Sequence, residues 1–160
     1  MKLGRVMAAV ALLAPIPFAG MTEPAAAVDS HTVLIRGSIS AHDCCSIWGG
    51  NEWRSETVKS DDVRTHNRPW VTTWRSVCAG QEARAVLLVD IFLNNQEKVV
   101  VAATLKLYEG ASCSSNDNDG EDYRATTVAL GASRQVDLAV DSHEWGSDDK
   151  ARASFIVLHG

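Results

Sequence analysis

The 160-residue sequence lacks any sustained helical period. No window repeats apolar side chains at three- and four-residue spacing, so the elements must be strands. Internal repeats and low-complexity linkers are also missing, which argues for one domain. The sequence holds no recognisable catalytic motif. The five histidines, His31, His42, His66, His143 and His159, include no pair at metal-ligand spacing, and His143-Glu144 lacks the second histidine of a His-Glu-x-x-His zinc site. No Cys-x2-4-Cys pair suggests a zinc centre, and no Gly-x-Ser-x-Gly elbow marks a serine nucleophile. "HDCC" sets His42 and Asp43 beside Cys44, but a paired structural cysteine is the expectation for an exported chain. A basic excess is absent too, and with it the electrostatic basis for holding nucleic acid or an anionic membrane.

What is present begins with a leader. Lys2 and Arg5 precede an apolar run from Val6 to Gly20 and the small residues Ala25-Ala26-Ala27, the pattern of a secretory signal over residues 1–27. Pro15 and Pro17 interrupt the run, which is shorter than the roughly 20 residues needed to span a bilayer. The expected mature chain, residues 28–160, is a single secreted domain without a membrane span. Setting aside Lys2, Arg5 and Glu23 leaves it 13 basic and 19 acidic residues, a net charge of −6. The acidic excess falls entirely after residue 84.

From Ala83 onward the pattern has period two. Ala85, Leu87, Val89, Ile91 and Leu93 form one apolar face, and Val99, Val101, Ala103, Leu105 and Leu107 form the next. Further strands are predicted at 123–130, 135–140 and 151–159, and one upstream at 31–40 with Val33, Ile35 and Ile39 on one face. Six strands with short turns predict an antiparallel β-sandwich, with a small β-barrel as the alternative. Residues 41–83, with four of the five tryptophans and three of the four cysteines, read as an irregular Trp/Cys-rich connection.

Up-and-down connectivity places two acidic loops and Cys78 at the same end. The first loop contains "SCSSNDNDGEDY", with Asp117, Asp119, Glu121 and Asp122; the second contains Asp141, Glu144, Asp148 and Asp149. This composition offers the oxygen ligands that calcium takes, and Asp117, Asp119, Glu121, Asp122, Asp141, Glu144 and Asp148 are the expected ligands. It is no EF-hand: aligned on Gly120, the loop has Ser115, Asp117 and Asp119 in place but Thr126 where glutamate belongs. Ordinary turn chemistry explains the same composition without a metal. Cys44, Cys45, Cys78 and Cys113 predict two disulfides, with Cys44 and Cys45 pairing separately with Cys78 and Cys113, because a bridge between neighbours is strained.

Trp70 and Trp74 lie four apart in "PWVTTW", on one face and roughly 13 Å apart at strand rise. They could stack on sugar rings, but tryptophan is usually buried, so at least one of the two is expected inside. Trp145, within an acidic loop, is the third candidate for a ligand contact. The function these features predict is a secreted, non-catalytic binding module for carbohydrate or protein. The alternatives are a small hydrolase using loop carboxylates and a protease inhibitor presenting a disulfide-braced loop.

Overall fold

The computed structural model describes residues 30–46, 50–64, 70–142 and 148–160, with the side chains of 45, 46, 50, 63 and 64 left aside. Eight strands follow one another: β1 (His31–Ser46), β2 (Gly50–Arg64), β3 (Trp70–Ala79), β4 (Ala83–Leu93), β5 (Val99–Glu109), β6 (Asp117–Val128), β7 (Ser133–Asp141) and β8 (Lys150–His159). They make two four-stranded antiparallel sheets, ordered β2-β1-β8-β7 and β3-β4-β5-β6. Among the described residues no helix is long and apolar enough to cross a membrane.

Alternation builds the core. Along β4 every odd residue from Ala83 to Leu93 is buried and every even one is half-exposed, and β5 repeats the pattern from Val99 to Leu107. The inner faces of both sheets meet in one cluster, with Ile35, Ile39, Phe155 and Val157 opposite Leu87, Ile91 and Leu105. The result is a sandwich-like all-β fold. Each predicted inner face from β1, β4, β5 and β7 is buried as the period-two pattern requires.

Residues 41–83 differ from the expectation. The described part of this stretch is regular: β1 runs on to Ser46, β2 pairs with β1 along its length, and β3 pairs with β4 from Trp70↔Phe92 to Ala79↔Ala83. The period-two signal fails in β2 because this is an edge strand in which Val58 is the only buried hydrophobic among the described side chains. β6 also starts earlier than predicted, at Asp117, so half of the presumed acidic loop is an edge strand paired with β5.

Polar bonds close the open flanks between the sheets. On one flank, Arg75 Nη2 of β3 donates to the Lys59 carbonyl of β2 at 2.9 Å. On the other, the Asp122 carboxylate of β6 accepts the Ala139 N–H of β7 at 3.1 Å. Both bonds satisfy edge groups that would otherwise invite another strand. At one end, buried His159 donates from Nδ1 to the Val128 carbonyl at 3.0 Å, which leaves its Nε2 to accept from His31 Nδ1 at 2.7 Å. This chain joins β1, β8 and β6, and hence both sheets.

Gly37 fits the largest core side chain. It pairs with Phe155, and a Cβ added there would lie 2.1 Å from the Ser154 carbonyl oxygen and 2.4 Å from Phe155 Cα. These obstacles are backbone atoms and cannot swing aside. Gly37→Ala should therefore destabilise the protein by about 1 to 3 kcal/mol, the usual cost of overpacking. Urea unfolding of the two proteins checks this, and equal midpoints would contradict it.

Candidate functional site

Two regions hold chemistry beyond the core. The first is the end where β1, β3, β5 and β7 finish. There Cys78, on the last turnward stretch of β3, is bonded to Cys113 of the β5–β6 loop, with Cα atoms 5.9 Å apart. This corrects the expected pairing: Cys78 and Cys113 take each other, so neither Cys44 nor Cys45 reaches them. Cys78 is in β3 and Cys113 in the loop joining β5 to β6 of the same sheet, whereas Cys44 lies near the end of β1 in the other. Cys44 is itself disulfide-bonded, and the side chain of Cys45 lies outside the described residues. Disulfides of this kind persist in oxidising compartments.

Behind this bridge lies Asp43, 1% exposed, with no hydrogen-bond partner for either carboxylate oxygen. It presses on the β3–β4 turn, where Gly80 adopts φ +57° and a Cβ would fall on Asp43 Oδ2. Burial, and then the charges of Asp149, Glu82 and Glu52, push the Asp43 carboxyl above its ordinary value, with His42 opposing them. Asp149 is also buried and accepts the Cys44 N–H at 2.6 Å. His42 faces the other way, stacked on Trp53 with ring centroids 4.3 Å apart, and hydrogen-bonds to Asn51. A polar cleft of about 450 Å³ opens beside Gly80, lined by Glu52, Arg54, Glu56, Gln81 and the Cys78–Cys113 bridge. Asp43 stands behind its wall.

The acidic residues expected to share a calcium ion are spread out. Asp117 is exposed and Asp119 half-buried on β6, while Glu121 faces outward and pairs with Lys106 at 3.4 Å. Asp122 turns to the β7 edge and lies 3.6 Å from Arg124. Asp141 is on the outer face of the other sheet, 2.5 Å from Arg152, and Asp148 is 4.0 Å from Lys150. Glu144 and Trp145 lie outside the described residues. Among the described residues no three His, Cys, Asp or Glu side chains are grouped to hold a metal ion.

The second region is the outer face of the β3–β6 sheet. Val77 and Ala79 of β3 point inward, so the even-numbered residues of that strand point out. The expectation that Trp70 or Trp74 is buried is thereby corrected: they are 56% and 61% exposed. Register then assembles a surface around them. Trp70 stands beside Phe92 and Val100, with the Trp70 and Phe92 rings stacked at 5.1 Å and 9°. Trp74 stands in a row with Leu88, Thr104 and Tyr123, the last 58% exposed. Between these rows run Thr72, Asp90, Ala102 and Ala125.

The outer face of the other sheet is mixed, carrying Arg36 paired with Asp61, Arg152 paired with Asp141, and Ser38 and Ser154 beside exposed Trp53, Ile156 and Leu158. Tyr123 and the apolar outer positions of β4 were not picked out from the sequence. The signal was there: "ARAVLLVDIFL" is apolar at both parities, which a strand facing water on one side does not need. No family model, curated protein or solved structure matches the chain, so a function has to rest on these two regions.

Two predictions belong to the first region. Peptide mapping without reduction should recover Cys78 linked to Cys113; a link from Cys44 or Cys45 to either would contradict it. Asp43→Asn should alter the pH dependence of stability. A carboxyl raised in the folded state contributes stability below its unfolded value near 3.8, which is lost as pH rises through the folded value. The parent should therefore lose stability relative to Asp43→Asn as the pH rises from below 3.8 to neutral. Urea unfolding across that range checks it, and a constant difference would contradict it.

Proposed function

We propose that this protein is a secreted, non-catalytic carbohydrate-binding module, and that polysaccharide lies on the outer face of the β3–β6 sheet. The observation that carries the reading is the exposure of Trp70, Trp74 and Tyr123 on one face of one sheet. Contiguous exposed apolar surface marks an interaction site. Rings fixed on strands give large contact area at low entropic cost, since each has only two side-chain torsions to restrain. Thr72, Asp90 and Thr104 stand among the rings as hydrogen-bonding groups, the combination of apolar contact and a few placed polar atoms that a ligand site uses. The ring faces suit the C–H faces of pyranoses, and the polar groups suit their hydroxyls.

The acidic end enters the proposal as an experimental variable, with binding measured in calcium and in chelator. A small hydrolase is the second reading, favoured by the buried Asp43 with its raised carboxyl beside the cleft. Release of reducing sugar by the parent but not by Asp43→Asn would support it. The inhibitor reading gains no specific observation.

The test is retention of the secreted protein on insoluble cellulose, chitin, xylan and mannan. At least one polymer should bind the parent, and Trp70→Ala and Trp74→Ala should each weaken binding about tenfold or more, the scale of a hot-spot truncation. Their stability should stay within about 0.5 kcal/mol of the parent, as for other surface changes. Retention unaffected by either substitution would contradict the proposal. No retention, with a dimer in sedimentation that Trp74→Ala dissolves, would assign the face to a second copy of the chain.

A further inference from the structure

Asp90 is the one charged residue from Ala85 to Leu93 of β4, a stretch otherwise made of apolar side chains. Its neighbours Val89 and Ile91 are fully buried, so Asp90 is directed outward, into the space between the Trp70 row and the Trp74 row. A carboxylate on a central strand with apolar residues around it is costly unless something recovers its hydrogen bonds. Thr72 supplies one, donating from Oγ1 to Asp90 Oδ1 at 2.5 Å. Trp70 in turn donates from Nε1 to Thr72 Oγ1 at 3.3 Å. This relay fixes the carboxylate and still leaves it acceptor capacity on the solvent side, since an ionised carboxylate has about four lone-pair sites. Beyond Asp90 the same row continues as Ala102 and Ala125, whose small side chains leave that side open.

Charge completes the picture. Among the described residues no Lys or Arg pairs with Asp90. The other charges on this face are occupied: Lys106 pairs with Glu121, and Arg84 lies 4.5 Å over the Tyr108 ring while it donates to the Ser115 carbonyl. The platform thus presents one oriented acceptor with uncompensated negative charge. On the reading that the face binds polysaccharide, we infer that Asp90 is its specificity-determining residue and that the polymer it takes is uncharged. Sugar hydroxyls donate to the carboxylate between the rings. A uronate or sulfate brought to the same place meets like charge with no cation to offset it, which excludes polyanionic glycans by repulsion. The acidic excess of the mature chain acts in the same direction.

The experiment is affinity electrophoresis of the secreted protein in gels containing neutral polymers (hydroxyethylcellulose, xylan, mannan) or polygalacturonate, with Asp90→Ala, Asp90→Asn and Trp74→Ala alongside. The parent should be retarded by a neutral polymer and not by polygalacturonate. Asp90→Ala should bind the neutral polymer about tenfold more weakly, the scale of a lost hydrogen bond to a charged group. Asp90→Asn, which keeps an acceptor and loses the charge, should retain neutral binding and gain retardation by polygalacturonate. Equal retardation of the parent by both kinds of polymer would overturn the inference. So would unchanged binding by both Asp90 variants; if Trp74→Ala still loses binding in that case, the platform stands and only the role of Asp90 fails. If no neutral polymer retards the parent, or Trp74→Ala binds like the parent, the platform reading fails and the inference with it.

Discussion

The hydrogen-bonded register between β3 and β4 ties the inside of this protein to its outside. Pairing Val77 with Ala85 and Thr73 with Val89 turns the odd-numbered residues of both strands to the inner side, with those of β4 in the core. It thereby obliges Trp70, Thr72 and Trp74 to share the outer face with Phe92, Asp90 and Leu88. A slip of one residue would exchange the two sets, placing Asp90 in the core and Leu87, Val89 and Ile91 in water. Burying three aliphatic side chains is worth about 1.5 to 3 kcal/mol each, so the core holds the register firmly. The exposed aromatic face is a consequence that the core enforces.

The same constraint explains how the flanks and ends are arranged. Edge strands β2, β3, β6 and β7 have few apolar residues to hold them, and polar side chains take over: Arg75 to the Lys59 carbonyl on one flank, Asp122 to the Ala139 N–H on the other. At one end the His31–His159 chain joins the sheets; at the other the Cys78–Cys113 bridge ties the β5–β6 loop to β3. Among the described residues the buried Asp43 is a carboxyl with neither oxygen hydrogen-bonded and with acidic neighbours, and His42 Nδ1 and Arg84 Nε are also buried without a hydrogen bond.

Much of this was legible in the sequence, where one face was apolar and the other was not. Val33, Ile35 and Ile39, the alternating faces of β4 and β5, and Val136, Leu138 and Val140 were all readable from period two, and connectivity alone brought Cys78 and Cys113 to the same end. β2 was not readable, because an edge strand with Val58 as the sole buried hydrophobic among its described side chains leaves no periodic trace. The pairing of Cys78 with Cys113 depends on how a loop folds back, which spacing does not encode. The fate of Trp70 and Trp74 depended on parity relative to Val77 and Ala79, and residue preference pointed the wrong way: tryptophan is usually buried, yet here the core is filled by Phe155 and aliphatic side chains. The acidic residues misled for a related reason, since composition placed them in loops while pairing with β5 laid Asp117 to Asp122 along a strand.

The two outer faces of this fold differ: one sets ion pairs among exposed apolar side chains, and the other gathers the exposed rings of Trp70, Trp74 and Tyr123. The most direct measurement of whether the aromatic face is the functional surface is a two-dimensional nitrogen–proton NMR titration of the protein with a soluble neutral oligosaccharide. The account predicts that the indole N–H signals of Trp70 and Trp74 and the amides of Thr72 and Asp90 shift together and saturate with one affinity. Shifts confined to the Cys78–Cys113 cleft and the Gly80 turn, with those indoles unmoved, would contradict it.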